Sequence, residues 1–265
     1  MNALDSKIRS GALQAMFPVT PPVVPGNEIA GIVDAVGEGV QQFAVGDGVF
    51  GWSETGSYAE FALAAATMVT IRPADLPMER AAALPTAVET SERVLDLLGV
   101  KAGETVVLHG AAGAVGTIAV QLAITRGARV IATAGPANQD YLTALGATAT
   151  VYGDGLVERI RTLSPDGVDA VFDIAGKGAL EDSIVLRGGT DRIVTIADFR
   201  ARQLGITFSA GSSSRPMQRL AEVAREAADG ALVTTVTTYP LDQAAAAQDA
   251  SDTGHARGKL VLTVN

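Results

Sequence analysis

The sequence predicts an α/β chain in which a doubly wound parallel sheet is inserted into a smaller β-rich domain built from both chain ends. Three observations carry this. Thr105 to Gly127 reads as a strand, a glycine-rich turn and a helix in immediate succession. Apolar strand-like runs then alternate with helical patterns as far as Ser209, the spacing of βαβ units and a parallel sheet. Residues 1–82 and 229–265 leave that alternation, so the expected division is a β-rich domain from 1–82 and 229–265 around a nucleotide-type domain at 83–228.

In the central stretch, Thr105-Val106-Val107-Leu108-His109 is a short, apolar, β-branched run of the kind buried in parallel sheets. The turn Gly110-Ala111-Ala112-Gly113-Ala114-Val115-Gly116 follows at once. Val115, Ile118, Ala119 and Leu122 fall at i, i+3, i+4 and i+7, giving the next helix one stripe to lay on the sheet, and Gly127 supplies its left-handed stop. This order aims free N–H groups and the positive end of the helix dipole at whatever sits above the turn, which suits a pyrophosphate. Gly110 permits the tight turn, Gly113 admits close backbone approach to phosphate, and Gly116 lets helix and strand pack closely. The expected dinucleotide-binding set is therefore Gly110, Ala112, Gly113, Ala114, Val115 and Gly116.

In chain order, glycine and proline are closely spaced through the first 48 residues, so short strands and turns are expected there. Asn27 to Val36 is the clearest strand, Val45 to Phe50 a turn entering another, and Tyr58 to Ala62 a third. A helical pattern runs from Met78 to Leu98. Beyond the central motif the strands are expected at Ala128 to Ala134, Ala149 to Tyr152, Val168 to Asp173, Arg192 to Ile196 and Gly205 to Ser209. Helices fall between them at Asn138 to Leu145, Leu156 to Leu163 and Gly178 to Leu186. Pro216 to Ala228 is one more amphipathic helix. Val233 to Thr238, a helix at Leu241 to Ala250 and a strand at Lys259 to Val264 return the chain to the first domain.

Composition narrows the chemistry. With 265 residues, 48% of them hydrophobic, the chain can build two modest cores. A net charge of −9 argues against nucleic acid or an anionic membrane as partner. The absence of cysteine excludes disulfides, thiolate catalysis and cysteine zinc sites, and the two histidines exclude a histidine-rich metal site, so no metal is expected. No apolar run resembles a signal peptide or a membrane span, and a cytoplasmic protein is expected.

An NAD-selective domain places Asp or Glu at the end of its second strand, about 20 residues past the glycine motif, to hold the ribose 2′-hydroxyl. Here that region is Ile131-Ala132-Thr133-Ala134-Gly135, with no acid. NADP (NADPH) is the expected cofactor, with Thr133 at its adenosine end.

Asn2 to Gly11 reads NxxDxxxRxG, Pro25 to Gly31 reads PGNEIAG, and Val36-Gly37 leads to Val45-Gly46-Asp47-Gly48-Val49. Leu84-Pro85, Thr90, the GAAGAVG turn and Gly258-Lys259-Leu260-Val261-Leu262 complete the series. In this order, over nearly the whole chain, these motifs resemble the zinc-independent quinone oxidoreductase branch of the medium-chain dehydrogenase/reductases. The resemblance implies a GroES-like catalytic domain around a Rossmann domain, with the active site in the cleft between them. It also implies an N-terminally shortened, truncated GroES-like domain, because relatives carry further strands before the equivalent of Asn2. Asn27 stands where zinc-dependent relatives have a histidine ligand.

The same resemblance places Tyr152 near the adenosine phosphate, and removes a basic residue that usually follows the second strand, replaced within Pro136-Ala137-Asn138-Gln139. It puts Asn2, Thr90, Ala175-Gly176 and the loop Thr195, Ile196, Ala197 around the nicotinamide. Lys7 falls where several quinone reductases have an active-site tyrosine. Lys7, Asn2 and Thr90 are the candidate catalytic donors to a substrate oxygen; otherwise Lys7 is a solvated surface lysine. Asp5 and Arg9 are expected to form a structural pair or turn, and His109 to be a hydrogen-bonded core residue.

The implied function is an NADPH-dependent, zinc-independent reductase that transfers hydride to a small hydrophobic quinone or α,β-unsaturated carbonyl, including enoyl reductases of secondary metabolism. Its partners would be that substrate and a second copy of the chain, paired through Gly205 to Ser209 in a homodimer. Two alternatives keep the scaffold: a non-redox cyclase or lyase, and a cofactor-binding regulatory protein.

Overall fold

The NxxD spacing at the start of the chain folds as a helix, not as part of a strand-and-turn segment. In the computed structural model, which describes residues 1–211 and 216–264, α1 spans Ala3–Arg9, with Asn2 at its N-cap. The Asp5 carboxylate reaches back to accept the Asn2 N–H at 2.9 Å, a capping-box bond that satisfies a first-turn donor. The expected Asp5–Arg9 pair is not made: Arg9 lies 3.9 Å from Asp252, while Asp5 accepts the Tyr58 hydroxyl at 3.0 Å.

β1 (Glu28–Ile32), β2 (Gly48–Trp52) and β3 (Val69–Ile71) form an antiparallel sheet in sequence order, with Val49, Phe50 and Trp52 buried. Tyr58 to Ala62 was expected as a strand and is irregular instead. Its backbone is committed to loop bonds, the Ser57 and Tyr58 N–H groups both donating to Pro25 O at 2.9 and 3.1 Å, and the third strand is Val69–Ile71. The single helix expected from Met78 to Leu98 is two, α2 (Met78–Ala81) and α3 (Pro85–Leu97). Pro85 explains the break, since its ring fixes φ and suits the first turn of a new helix.

From here the alternation is regular: β4 (Thr105–His109), α4 (Ala114–Thr125), β5 (Arg129–Ala134), α5 (Gln139–Ala144), β6 (Thr148–Val151), α6 (Leu156–Leu163), β7 (Ala170–Asp173), α7 (Leu180–Arg187), β8 (Ile193–Thr195) and β9 (Thr207–Phe208). The six strands make one parallel sheet in the order β6-β5-β4-β7-β8-β9. β4 is buried at every position, which is why its sequence is a continuous apolar run and not an alternating one. Val107, Ile131, Val171 and Ile193 from the strands pack with Leu156, Ile160 and Leu180 from the helices in one core. Ile118, Ala119 and Leu122 of α4 are buried as their spacing requires; burial of each large side chain contributes about 1.5–3 kcal/mol.

The chain closes with α8 (Met217–Ala228), β10 (Val236–Pro240), α9 (Ala244–Asp252) and β11 (Lys259–Thr263). β10 and β11 pair in parallel as a separate two-stranded sheet. The chain divides into two compact units, Met1–Thr86 with Arg215–Asn265, and Ala87–Ser214. α8, assigned from sequence to the nucleotide domain, belongs to the terminal unit because it packs against β3. No helix among the described residues is long and apolar enough to cross a membrane.

Candidate functional site

The glycines of the β4–α4 turn are there for two different reasons. Gly110 has φ +75°, and a Cβ on it would come within 3.1 Å of the Ala175 backbone N and Cβ. At Gly116 a Cβ would meet the Ala111 Cα at 2.5 Å, so the helix can approach its own turn only as glycine. Gly113 has no such constraint: its φ is −77°, and the nearest atom to an added Cβ is Gly110 O at 3.7 Å. Nothing in the fold demands glycine there. Gly113 is also the N-cap of α4 and makes no side-chain capping bond, leaving the first-turn N–H groups without a side-chain partner. A cradle that a Cβ would fill, beside uncapped donors at the positive end of a 12-residue helix, fits a pyrophosphate. Ala112 is buried, Ala114 and Val115 are half-buried, and the Ser91 hydroxyl donates to Val115 O at 3.2 Å, tying α3 to this turn.

Across the sheet, the loops that follow β7 and β8 are held by a buried carboxylate. Asp173 Oδ1 accepts the N–H groups of Ala175 and Gly176 at 3.1 and 3.0 Å, and Oδ2 accepts the Thr195 hydroxyl at 2.7 Å. Thr195 Oγ1 in turn accepts the N–H groups of Ala197 and Asp198 at 3.2 and 3.1 Å, and Ile196 N–H donates to Asp173 O at 3.1 Å. The residues expected around the nicotinamide, Ala175, Thr195, Ile196 and Ala197, are thus brought together. Thr195 acts as a brace for the two loops, its hydroxyl being wholly enclosed. Asp173 was not foreseen as part of the site, although an acid closing an apolar parallel strand is itself a signal that something must satisfy it.

His109 closes β4 as a core residue. Its Nδ1 is 3.1 Å from Thr133 Oγ1 and its Nε2 3.3 Å from Ser183 Oγ. Because the Ser183 hydroxyl donates to Ala179 O at 2.5 Å, the ring must donate from Nε2 and accept the Thr133 hydroxyl at Nδ1. Burial pushes the imidazole down to about 4, against the pull of the Asp173 charge, so it is neutral at pH 7. Thr133, expected at the adenosine end of the cofactor, is 1% exposed with its hydroxyl spent on His109, and does not offer it to a ligand. Tyr152 is 56% exposed, and its hydroxyl lies beside Gly135.

The three candidate donors have different settings. The Thr90 hydroxyl is buried in α3 and donates to Glu89 Oε2 at 3.2 Å. Asn2 is clamped in the terminal unit, with Nδ2 donating to Glu28 Oε2 at 2.5 Å and Oδ1 accepting from Lys259 Nζ at 2.6 Å. Glu28 and Lys259 form a buried ion pair at 2.6 Å, and Glu28 also accepts the Thr86 N–H at 2.7 Å. Burial alone would raise the Glu28 carboxyl, but the Lys259 ammonium and these hydrogen bonds hold it below the usual carboxylate range. Lys7 is exposed on α1. The Tyr58 phenol is pushed up by burial and by Asp5, and stays protonated; Trp52 is core, and His255 is exposed.

A glycine turn at the point where a parallel sheet of this order is wound in both directions defines a dinucleotide-binding Rossmann protein. Comparisons with known proteins narrow the class. Residues 1–74 match the alcohol dehydrogenase GroES-like domain and residues 145–262 the zinc-binding dehydrogenase family, although no group of three or more His, Asp or Glu among the described residues could hold a metal. The quinone oxidoreductase of Rattus norvegicus is 30% identical over 281 residues, 98% of this chain and 84% of that protein. The 2-methylene-furan-3-one reductase of Solanum lycopersicum is 29% identical over 273 residues, covering 99% of this chain and 69% of that protein. The structure of the Escherichia coli quinone oxidoreductase complexed with NADPH superimposes with a TM-score of 0.86 at 26% identity, over 100% of this chain and 88% of that one. The chain belongs to the quinone oxidoreductase-like branch of the medium-chain dehydrogenase/reductase superfamily.

Proposed function

We propose that this chain is an NADPH-dependent reductase that delivers hydride to a small hydrophobic quinone or α,β-unsaturated carbonyl. The observation that carries the reading is the Gly113 cradle beside the uncapped start of α4, which the fold itself does not require. Family membership and the absence of an acid after β5 support NADPH in particular. The bound nicotinamide would supply the hydride.

The chain's residues would bind, orient and donate. The first-turn N–H groups of α4 would take the pyrophosphate, with Gly110, Ala112, Gly113, Ala114, Val115 and Gly116 shaping the cradle. Ala175, Ile196 and Ala197 would present backbone to the nicotinamide, held in place by Asp173 and Thr195. An enolate or phenolate oxygen needs only one or two hydrogen-bond donors. Lys7 is an exposed lysine on α1, and Asn2 keeps a second Nδ2 hydrogen beyond the one given to Glu28. Thr90, whose proton goes to Glu89, would accept and not donate.

Zinc would not be needed for this chemistry: the sequence has no cysteine, and among the described residues no group of three or more His, Asp or Glu could hold a metal. The terminal unit would be the substrate domain. The edge strand β9 would pair with its own copy in a homodimer, and the protein would work in the cytoplasm.

The test is a fluorescence titration with NADPH and NADH, followed in the same cuvette by 1,4-benzoquinone and by a simple enone. Binding of NADPH with acceptor-dependent loss of its absorbance is the expected result. Tight binding without oxidation over a broad acceptor panel would overturn the reductase reading in favour of a regulatory protein, and product formation without cofactor consumption in favour of a cyclase or lyase.

A further inference from the structure

We propose that Arg159, from the first turn of α6, supplies the cation that distinguishes a 2′-phosphate from a 2′-hydroxyl, in place of a basic residue after β5. The inference rests on the reading of the chain as an NADPH protein.

The segment that follows β5 offers neither an acid nor a base. It runs Gly135-Pro136-Ala137-Asn138-Gln139, and the Gln139 amide is turned inward, donating to Ala134 O, Gly135 O and Thr150 O at 3.0, 3.2 and 3.3 Å. The neighbouring strand supplies what is missing. β5 and β6 pair in parallel with Ala134 opposite Val151, so the residues that leave the sheet side by side are Gly135 and Tyr152. A Cβ on Gly135 would lie 3.6 Å from the Tyr152 hydroxyl, which places an exposed phenol at the carboxyl end of β5.

Arg159 is fastened to the same loop. Its Nη1 donates to Asp154 O at 2.6 Å, and its Nη2 to Val151 O at 2.9 Å and Gly153 O at 3.3 Å. These acceptors are neutral carbonyls. Arg93, Arg126, Arg187, Arg192 and Arg200 all pair with carboxylates, whereas Arg159 has no carboxylate partner among the described residues, and neither Asp154 nor Glu158 beside it in sequence takes that place. Its Nε is buried with no hydrogen-bond partner. One Nη1 hydrogen is also left over, since a guanidinium carries five. Three carbonyls hold the planar fork on either side of Tyr152, so little side-chain entropy remains to be lost when an anion arrives. A positive charge with an Nη1 hydrogen to spare, fastened to the loop that carries the exposed Tyr152, suits a dianionic phosphate monoester. A ribose hydroxyl would gain little from it.

Adenosine 2′,5′-bisphosphate and 5′-AMP differ only in the 2′-phosphate, and calorimetric titration of the whole chain with each reads the discrimination without any turnover. The native chain is expected to bind the bisphosphate at least about tenfold more tightly. Arg159→Gln should lower that ratio by about tenfold and leave 5′-AMP affinity unchanged, while Arg159→Lys keeps most of it. An unchanged ratio in a folded Arg159→Gln chain would overturn the proposal. Because Arg159 also closes its loop, a second measurement uses the native chain. Modification of Arg159 by phenylglyoxal, located by mass spectrometry, should be slowed by the bisphosphate and not by 5′-AMP; equal modification in both would sink it. A native chain that binds NADPH but prefers neither mononucleotide overturns the role of Arg159 alone. A native chain that binds neither NADPH nor the bisphosphate overturns the dinucleotide reading with it.

Discussion

Asp173 Oδ2 accepts the hydroxyl of Thr195 at 2.7 Å, joining the carboxyl ends of the adjacent strands β7 and β8 inside the protein. Between them the two side chains accept four backbone N–H groups from the loops beyond. Removing one member leaves the others desolvated without partners. Asp173→Asn should cost roughly 2–3 kcal/mol and Thr195→Val about 1–3 kcal/mol, and the double variant less than their sum. Urea unfolding of the four chains measures the coupling. Strict additivity would show that the bond does not brace the loops, and Asp173→Asn should in addition weaken NADPH binding in the folded protein.

Gly113 and Gly116 separate binding from folding. A methyl group at Gly113 meets nothing closer than 3.7 Å, so Gly113→Ala should change stability by no more than about 0.5 kcal/mol, while its Cβ occupies the cradle and lowers NADPH affinity by roughly tenfold or more. A methyl group at Gly116 strikes the Ala111 backbone at 2.5 Å, so Gly116→Ala should lose on the order of 2 kcal/mol or more. Thermal melting beside NADPH titration tests both. Retained affinity in Gly113→Ala would remove the pyrophosphate from this turn.

The parallel sheet was legible because its strands are short apolar runs at regular spacing, and their internal order could be read without any long-range information. α6 matched its expected bounds, Leu156–Leu163, since Gly155 precedes it and Ser164 follows. The terminal unit was less legible: α1 hides in a capping box whose acceptor is Asp5, three residues beyond Asn2, and Tyr58 to Ala62 has strand-like residues whose backbone bonds go to Pro25 and neighbouring loop atoms. In the site, the glycine turn is local and was read directly. The Asp173–Thr195 brace, the Glu28–Lys259 pair and the Thr133–His109 bond join residues 22, 231 and 24 positions apart, and only the fold brings them together. Thr133 illustrates the difficulty: successive strand residues face opposite ways, and position alone does not say which side looks at the ligand.

Glu28 and Lys259 neutralise each other at 2.6 Å with side chains 3% and 2% exposed, and Asn2 is hydrogen-bonded to both. Glu28→Met or Lys259→Met alone should cost about 3–5 kcal/mol by stranding the partner's charge. The double methionine variant should recover much of that loss. Its stability by urea unfolding decides the matter, and a double variant as unstable as the sum of the singles would contradict a paired, buried charge.

His109 makes stability depend on pH with a sign opposite to that of a paired surface histidine. Its folded pKa lies near 4, below the 6.5 of an exposed imidazole, so between these values the unfolded chain binds the extra proton. Stability from this group is therefore whole above pH 6.5 and falls as pH is lowered through the window to about 4, by an amount on the order of 3 kcal/mol. Carboxylates titrate in the lower part of the same range, so the quantity to measure is the difference between the native chain and His109→Asn. An asparagine can keep a partner for Thr133 at the position of Nδ1 but cannot take up the proton. The gap in unfolding free energy between the two chains should narrow steadily from pH 7 to pH 4, and a gap that stays constant would mean that the folded and unfolded chains take up the proton alike, so that burial does not lower His109.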